Sequence, residues 1–139
     1  MAKDIYHNLV KAALQQAGWT ITHDPLPIET TSGRIEVDLG AEQLIGAVKG
    51  SHKIAVNIKS FVGRNLLQDF YGAYGQFSFY YAALEITEPE RELYLAVPED
   101  AYKDFLHNPI PQELLKRGSV SLIVFNRTQP AIKQWISVK

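Results

Sequence analysis

The chain has 139 residues, fourteen Lys+Arg against fifteen Asp+Glu, a formal net charge of -1 and 46% hydrophobic residues. That length suits one domain, residues 1–139, with a real core, and the composition is not that of a disordered chain. The absence of cysteine excludes disulfide scaffolds, thiolate zinc sites and cysteine nucleophiles together, and the near-neutral balance excludes a histone-like wrapper of nucleic acid.

The start, Met1 to His7, is polar and lacks the apolar run of a signal peptide. The longest apolar stretch, Asn65 to Ile86, contains Gln68, Asp69, Gln76 and Glu85 and makes a poor membrane span. A soluble, cytoplasmic protein with no membrane partner is the expectation. Asp4 to Gln16 has apolar residues at helical spacing, with Asp4 placed to cap the start and Gly18 beyond the end. Trp19 to His23 alternates as a strand, Pro25 and Pro27 force an extended or looping path, and Thr31-Ser32-Gly33 is a turn. Arg34 to Leu39 alternates again, with Ile35, Val37 and Leu39 on one face and Glu36 and Asp38 on the other. A hairpin is expected from Leu44–Val48 and Ile54–Ile58, joined through Lys49 to Lys53.

A long helix, roughly Leu66 to Ile86, follows Gly63. Its aromatics, Phe70, Tyr71, Tyr74, Phe77, Tyr80 and Tyr81, recur at spacings of three and four and read as core packing. Gly72 and Gly75 would each cost roughly 1 kcal/mol against alanine in a helix interior. They are expected to let the helix lie close to a sheet. Glu92–Val97 reads as a buried strand, Glu99–Leu106 and Pro111–Lys116 as short helices, Val120–Phe125 as a strongly apolar strand and Ile132–Val138 as an edge strand. The order predicts an α/β sandwich with a mixed sheet and helices on its faces.

Asn57 and Lys59, two apart on one strand, project from the same face. If the strand bearing Asp38 is its neighbour, Asp38, Asn57 and Lys59 converge. A carboxylate, a second oxygen ligand and a lysine suit Mg²⁺-assisted phosphodiester hydrolysis, with Asp38 and Asn57 as metal ligands. Lysine would hold the attacking water or stabilise developing charge.

Asp38 followed by Asn57-x-Lys59 resembles the D…(D/E)-x-K core of PD-(D/E)xK nucleases. More closely, segments through most of the chain resemble the XisH family, the fdxN-element excision controlling factors of cyanobacteria. These are Ala2–His7, Gly18–Leu26, Val37–Glu42, Ile54–Phe61 and Arg91–Pro98. The resemblance implies a restriction-endonuclease-like α/β/α sandwich with a central mixed β-sheet. It also implies a role in programmed DNA rearrangement, with DNA, a companion controlling factor and a site-specific recombinase as partners. A homo-oligomer accords with it, since nucleases of this fold often pair to address two strands.

The chain departs from the family pattern at Asn57, where the pattern carries Glu. A neutral carbonyl removes a strong ligand, so the resemblance here implies weakened or lost Mg²⁺ binding. Glu36, on the face of Asp38, and Asp69, on the helix face of Gln76, are candidates for a migrated carboxylate. Gln76 resembles the glutamine that resolvase-like nucleases place on the helix after the lysine strand to orient phosphate or water. His7 and Glu42 are further accessory candidates. Lys49, Lys53 and Arg64 are candidate DNA contacts.

Two functions are therefore weighed: an accessory factor for DNA excision on a nuclease-like fold, or an active Mg²⁺-dependent endonuclease with Asp38 as ligand and Lys59 as catalytic residue. In a third, the acidic stretch from Glu85 to Asp104 docks a companion protein. Charge along the chain is divided. Between Gln43 and Gln68 there are Lys49, Lys53, Lys59 and Arg64 and no acid, while the Glu85–Asp104 stretch has seven acids and two bases. A compact basic site around Lys59 is the expectation.

Overall fold

A computed structural model describes residues 4–44 and 51–138. The elements are α1 (His7–Gln16), β1 (Thr20–His23), β2 (Leu26–Thr30), β3 (Gly33–Val37), β4 (Leu39–Leu44), β5 (Ser51–Ile58), α2 (Leu66–Thr87), β6 (Glu92–Pro98), α3 (Glu99–Ala101) running into a π-helical turn (Tyr102–Leu106), α4 (Pro109–Arg117), β7 (Ser121–Phe125) and β8 (Ile132–Ile136). Six strands form one mixed sheet in the order β1-β4-β5-β6-β7-β8, and β2 and β3 form a separate two-stranded sheet. β5, β6 and β7 run parallel, and the outer pairings are antiparallel.

The central strands are buried on both faces, as parallel strands under helices are. On β5, Ile54, Val56 and Ile58 face a core shared with Val10 and Leu14 of α1. Ala55 faces the other core with Phe70, Ala73 and Phe77 of α2, Leu106, and Leu115 of α4. The result is a three-layer α/β sandwich, with α1 on one face and α2 to α4 on the other. Among the described residues no helix is long and apolar enough to cross a membrane.

Four expectations change. The helix begins at His7, not Asp4. The Asp4 carboxylate instead accepts Tyr6 N–H at 2.9 Å and Ser60 N–H at 3.0 Å, tying the entry of α1 to the end of β5. The strand expected from Arg34 to Leu39 breaks at Asp38. Val37 packs in the α2 core and Leu39 in the α1 core, because the chain leaves the β2–β3 hairpin there and joins the main sheet. The hairpin arm preceding β5 is β4, Leu39–Leu44; residues 45–48 of the expected arm, and Lys49, lie outside the described residues. Gly72 and Gly75 face away from the sheet and are exposed.

Lys53 and Lys59 lie six residues apart along extended backbone, about 20 Å at strand rise. Among the described residues the basic stretch is therefore not one compact patch, with Lys53 towards one end of the sheet and Lys59 at the other.

Arg127, in the β7–β8 loop, secures the end of the sheet where β5 stops. Its Nε donates to both Asp100 carboxylate oxygens at 2.9 Å, and its terminal nitrogens donate to Ser60 O at 2.9 Å, Phe61 O at 3.3 Å and the Tyr6 hydroxyl at 3.3 Å. Phe61 is buried with φ of 52°, a left-handed conformation disfavoured for a bulky residue. One guanidinium thus holds α1, the strained turn after Lys59, and α3. Arg127→Ala is expected to lower the unfolding free energy by about 2–4 kcal/mol, since it strands the Ser60 and Phe61 carbonyls and removes the ion pair with Asp100 at once. Arg34→Ala, at a pair 57% exposed on the arginine side, should change it by less than about 1 kcal/mol. Urea unfolding of both variants measures the difference.

Candidate functional site

The β3–β4 break lies at one end of the sheet, beside the last residues of β5. The pairing of Leu39 with Val56 carries Asp38 to the level of Asn57 and Ile58. There the Asp38 carboxylate accepts the Ile58 N–H at 2.6 Å. A cleft of about 340 Å³ opens at this point. Asp4 and His7 line it from the α1 end, Asp24 and Pro25 from the β1–β2 turn, Glu36 and Asp38 from the hairpin, Ile58 and Lys59 from β5, and Gln76 and Tyr80 from α2.

His7 is buried, and its Nε2 donates to Asp24 Oδ1 at 2.6 Å, while Lys11 Nζ donates to Asp24 Oδ2 at 2.7 Å. These residues are one turn apart on α1 and so reach the same carboxylate. Burial pushes Asp24 up, but the hydrogen bonds from Lys11 and His7 outweigh it and hold the carboxyl below the ordinary range. His7 Nδ1 is buried with no protein hydrogen-bond partner. Across the cleft, the Tyr80 hydroxyl donates to the Glu36 carbonyl at 3.0 Å. Burial and then the nearby Asp38 charge push Tyr80 up, against a hydrogen bond from Gln76.

Asp38 moves the other way from Asp24. Burial raises its pKa above the ordinary value, and the Asp4 and Asp24 carboxylates add to the rise. The Ile58 N–H and His7 oppose it without cancelling it. Among the described residues four carboxylates and one lysine line this cleft, so it is acid-lined although Lys59 belongs to the basic stretch. Such a site attracts a cation or a positively charged group and holds an anion only through Lys59.

The structure brings Asp38, Lys59, Gln76, His7 and Glu36 together. Asn57 is not among the residues lining the cleft; it is buried, and its Nδ2 has no protein partner. Glu42 lies along β4, where it accepts the Ser51 hydroxyl at 3.2 Å opposite Lys53. Asp69 accepts Gly63 N–H at 3.0 Å, and Arg64 is exposed in the same loop; none of the three lines the cleft. The sequence reasoning missed Asp4, Asp24 and Tyr80. A signal existed for two of them: His7 and Lys11 share a helix face that needs an anion, and Tyr80 follows Gln76 by one turn.

As donors for Mg²⁺, these residues fit poorly. Asp38 spends one oxygen on Ile58 N–H, the amide of Asn57 is buried off the cleft, and among the described residues no three His, Asp or Glu side chains are grouped to hold a metal. Hard cations need several oxygen ligands with carboxylate charge among them.

Fold and site together define a mixed-sheet α/β sandwich with an acid-lined cleft at the ends of β5 and α1. The family model for the XisH protein matches residues 1–133, and the chain belongs to the XisH family. Two solved structures are similar, each with a TM-score of 0.87. One, an XisH family protein from Nostoc punctiforme PCC 73102, is 38% identical over 96% of this chain and 100% of its own. The other, an fdxN element excision controlling factor protein from Anabaena variabilis, is 39% identical over 97% of this chain and 100% of its own. No curated protein matches.

The two aspartates have opposite effects on stability. Asp38 binds its proton more tightly folded than unfolded, so its contribution falls as pH rises from 3.8 towards its raised value. Asp24 is depressed, so its contribution is present above 3.8 and is lost as pH falls through its lower folded value. Asp38→Asn, which keeps an acceptor for Ile58, should be more stable than the parent near neutral pH, with the gap closing in acid. Asp24→Asn should be less stable near neutral pH, again converging in acid. Urea midpoints across the pH range check both signs.

Proposed function

We propose that this chain is an excision controlling factor: a regulator of programmed DNA excision that keeps a restriction-endonuclease-like framework and does not itself cleave DNA. The relative from Anabaena variabilis carries that name. The observation that carries the non-cleaving part is Asn57. It stands where the nuclease pattern has a metal-binding acid, and its side chain is buried off the cleft. Without that carboxylate, Asp38 and Lys59 are left as one acid and one base with no metal to bridge them to phosphate. In this reading Lys59, which lines the cleft, contacts the DNA backbone. A companion controlling factor and a site-specific recombinase supply the remaining activities.

A second reading, a Mg²⁺-dependent endonuclease, is favoured by one feature, the four carboxylates around the cleft, which would welcome a cation.

One set of measurements separates the two. Under the first, the protein leaves supercoiled plasmid intact with Mg²⁺ or Mn²⁺. Lys59→Ala then weakens duplex binding and lowers the salt slope by about 1, while Asp38→Asn tightens binding by removing a repelling charge. Under the second, plasmid is cut in a Lys59-dependent manner, and Asp38→Asn abolishes cutting. Cleavage lost in both variants would overturn the controlling-factor reading.

A further inference from the structure

α2 is apolar on both sides. Its buried face, with Phe70, Ala73, Phe77 and Leu84, fills the core. Its outer face carries Leu67 at 46% exposure, Tyr71 at 55%, Phe79 at 50% and Ile86 at 84%. From Tyr71 to Leu84 the helix has no charged residue. A solvated helix face ordinarily carries charge, and a contiguous apolar face marks a place where something docks.

Gly75 sits in the middle of this outer face, four residues from both Tyr71 and Phe79. A Cβ placed there would meet nothing within 4 Å. Nothing inside the molecule therefore asks for glycine, which is a poor residue for the interior of a helix. A close-approaching second helix would ask for it. The charges at the two ends say which helix. Arg64 is exposed just before α2, and Glu85 is exposed near its end. A parallel copy would set like charges together. An antiparallel copy sets Arg64 of each chain near Glu85 of the other.

We propose that the outer face of α2 binds a second copy of this chain, antiparallel and two-fold, with the helices crossing at Gly75. Counting outward from the crossing, Tyr71 of one copy packs against the partner's Phe79. Ile86 lies about 16 Å along the axis from Gly75, and Leu67 lies about 12 Å the other way. Because helical side chains lean towards the N-terminus, Ile86 is drawn back towards the level of the partner's Leu67. There an apolar groove of about 540 Å³ runs between α2 and α4, walled by Leu67, Tyr71, Phe105 and Leu114. The most exposed apolar residue of the helix and an open apolar groove thus meet twice across one axis. Gly72, beside the Lys59 ammonium, and Gln76, in the cleft, flank the same face, so the two acid-lined clefts border the seam.

Sedimentation velocity on the full chain from about 1 to 200 μM tests this. A reversible dimer is expected, weakened at least about tenfold by Phe79→Lys, a change at an exposed site whose thermal unfolding should match the parent. Arg64→Glu should weaken it too, and Arg64→Glu with Glu85→Lys should restore it. Since the chain lacks cysteine, Gly75→Cys should form a disulfide-linked dimer under mild oxidation, faster than Lys103→Cys on the exposed π-helical turn. A chain monomeric throughout the range, a dimer indifferent to Phe79→Lys, or Gly75→Cys crosslinking no faster than Lys103→Cys would each overturn the proposal. The first outcome would assign the face to a different polypeptide.

Discussion

The hydrogen bond from the Ile58 N–H to the Asp38 carboxylate joins the two sheets of the molecule. At Asp38 the chain leaves the β2–β3 hairpin and enters the six-stranded sheet, and Val37 and Leu39 fall into different cores on either side of it. A carboxylate at that point satisfies the backbone at the end of β5 while remaining in the cleft. Burial, with Asp4 and Asp24 nearby, pushes its pKa up. The backbone beside it is fixed from two sides, as Asp4 ties Tyr6 to Ser60 and Arg127 binds the carbonyls of Ser60 and Phe61 just beyond Lys59.

The acid-lined cleft also changes the meaning of the charge pattern. A lysine-containing stretch reads in sequence as a phosphate-binding patch. In the folded chain Lys53 and Lys59 separate along β5, and Lys59, which reaches the cleft, meets Asp4, Asp24, Glu36 and Asp38 from three other segments. Local charge in a fold is set by which segments meet and only weakly by neighbours in sequence. The His7–Asp24–Lys11 group extends the same logic, with α1 supplying the charge and proton donors that keep Asp24 ionised.

α2 joins the core, the cleft and the outer surface. One face packs through Phe70, Phe77 and Leu84, an adjoining edge presents Gln76 and Tyr80 to the cleft, and the remaining face is apolar and open. Its aromatic stripe was correctly legible as core for Phe70, Phe77 and Tyr80, whereas Tyr71 is half-exposed. Periodicity alone places residues on faces of a helix but does not say how many of those faces the rest of the chain covers.

Most elements are legible in the amino-acid order alone: the alternation of β5, the long helix and its neighbours, and the family. These are written in local periodicity, in turn residues and in stretches of matching side chains. Strand pairing also brought Asp38, Asn57 and Lys59 to one point, and the resemblance added Gln76; of these, Asp38, Lys59 and Gln76 line the cleft. Packing between distant segments sets the rest: the strand through Asp38 breaks, Asn57 is buried off the cleft, Asp24 and Asp4 enter it, and Gly72 and Gly75 face outward. Each of those depends on contacts between segments far apart in sequence, such as Ile58 with Asp38 or Arg127 with Phe61, and no local pattern encodes which distant group will satisfy a given backbone N–H or charge.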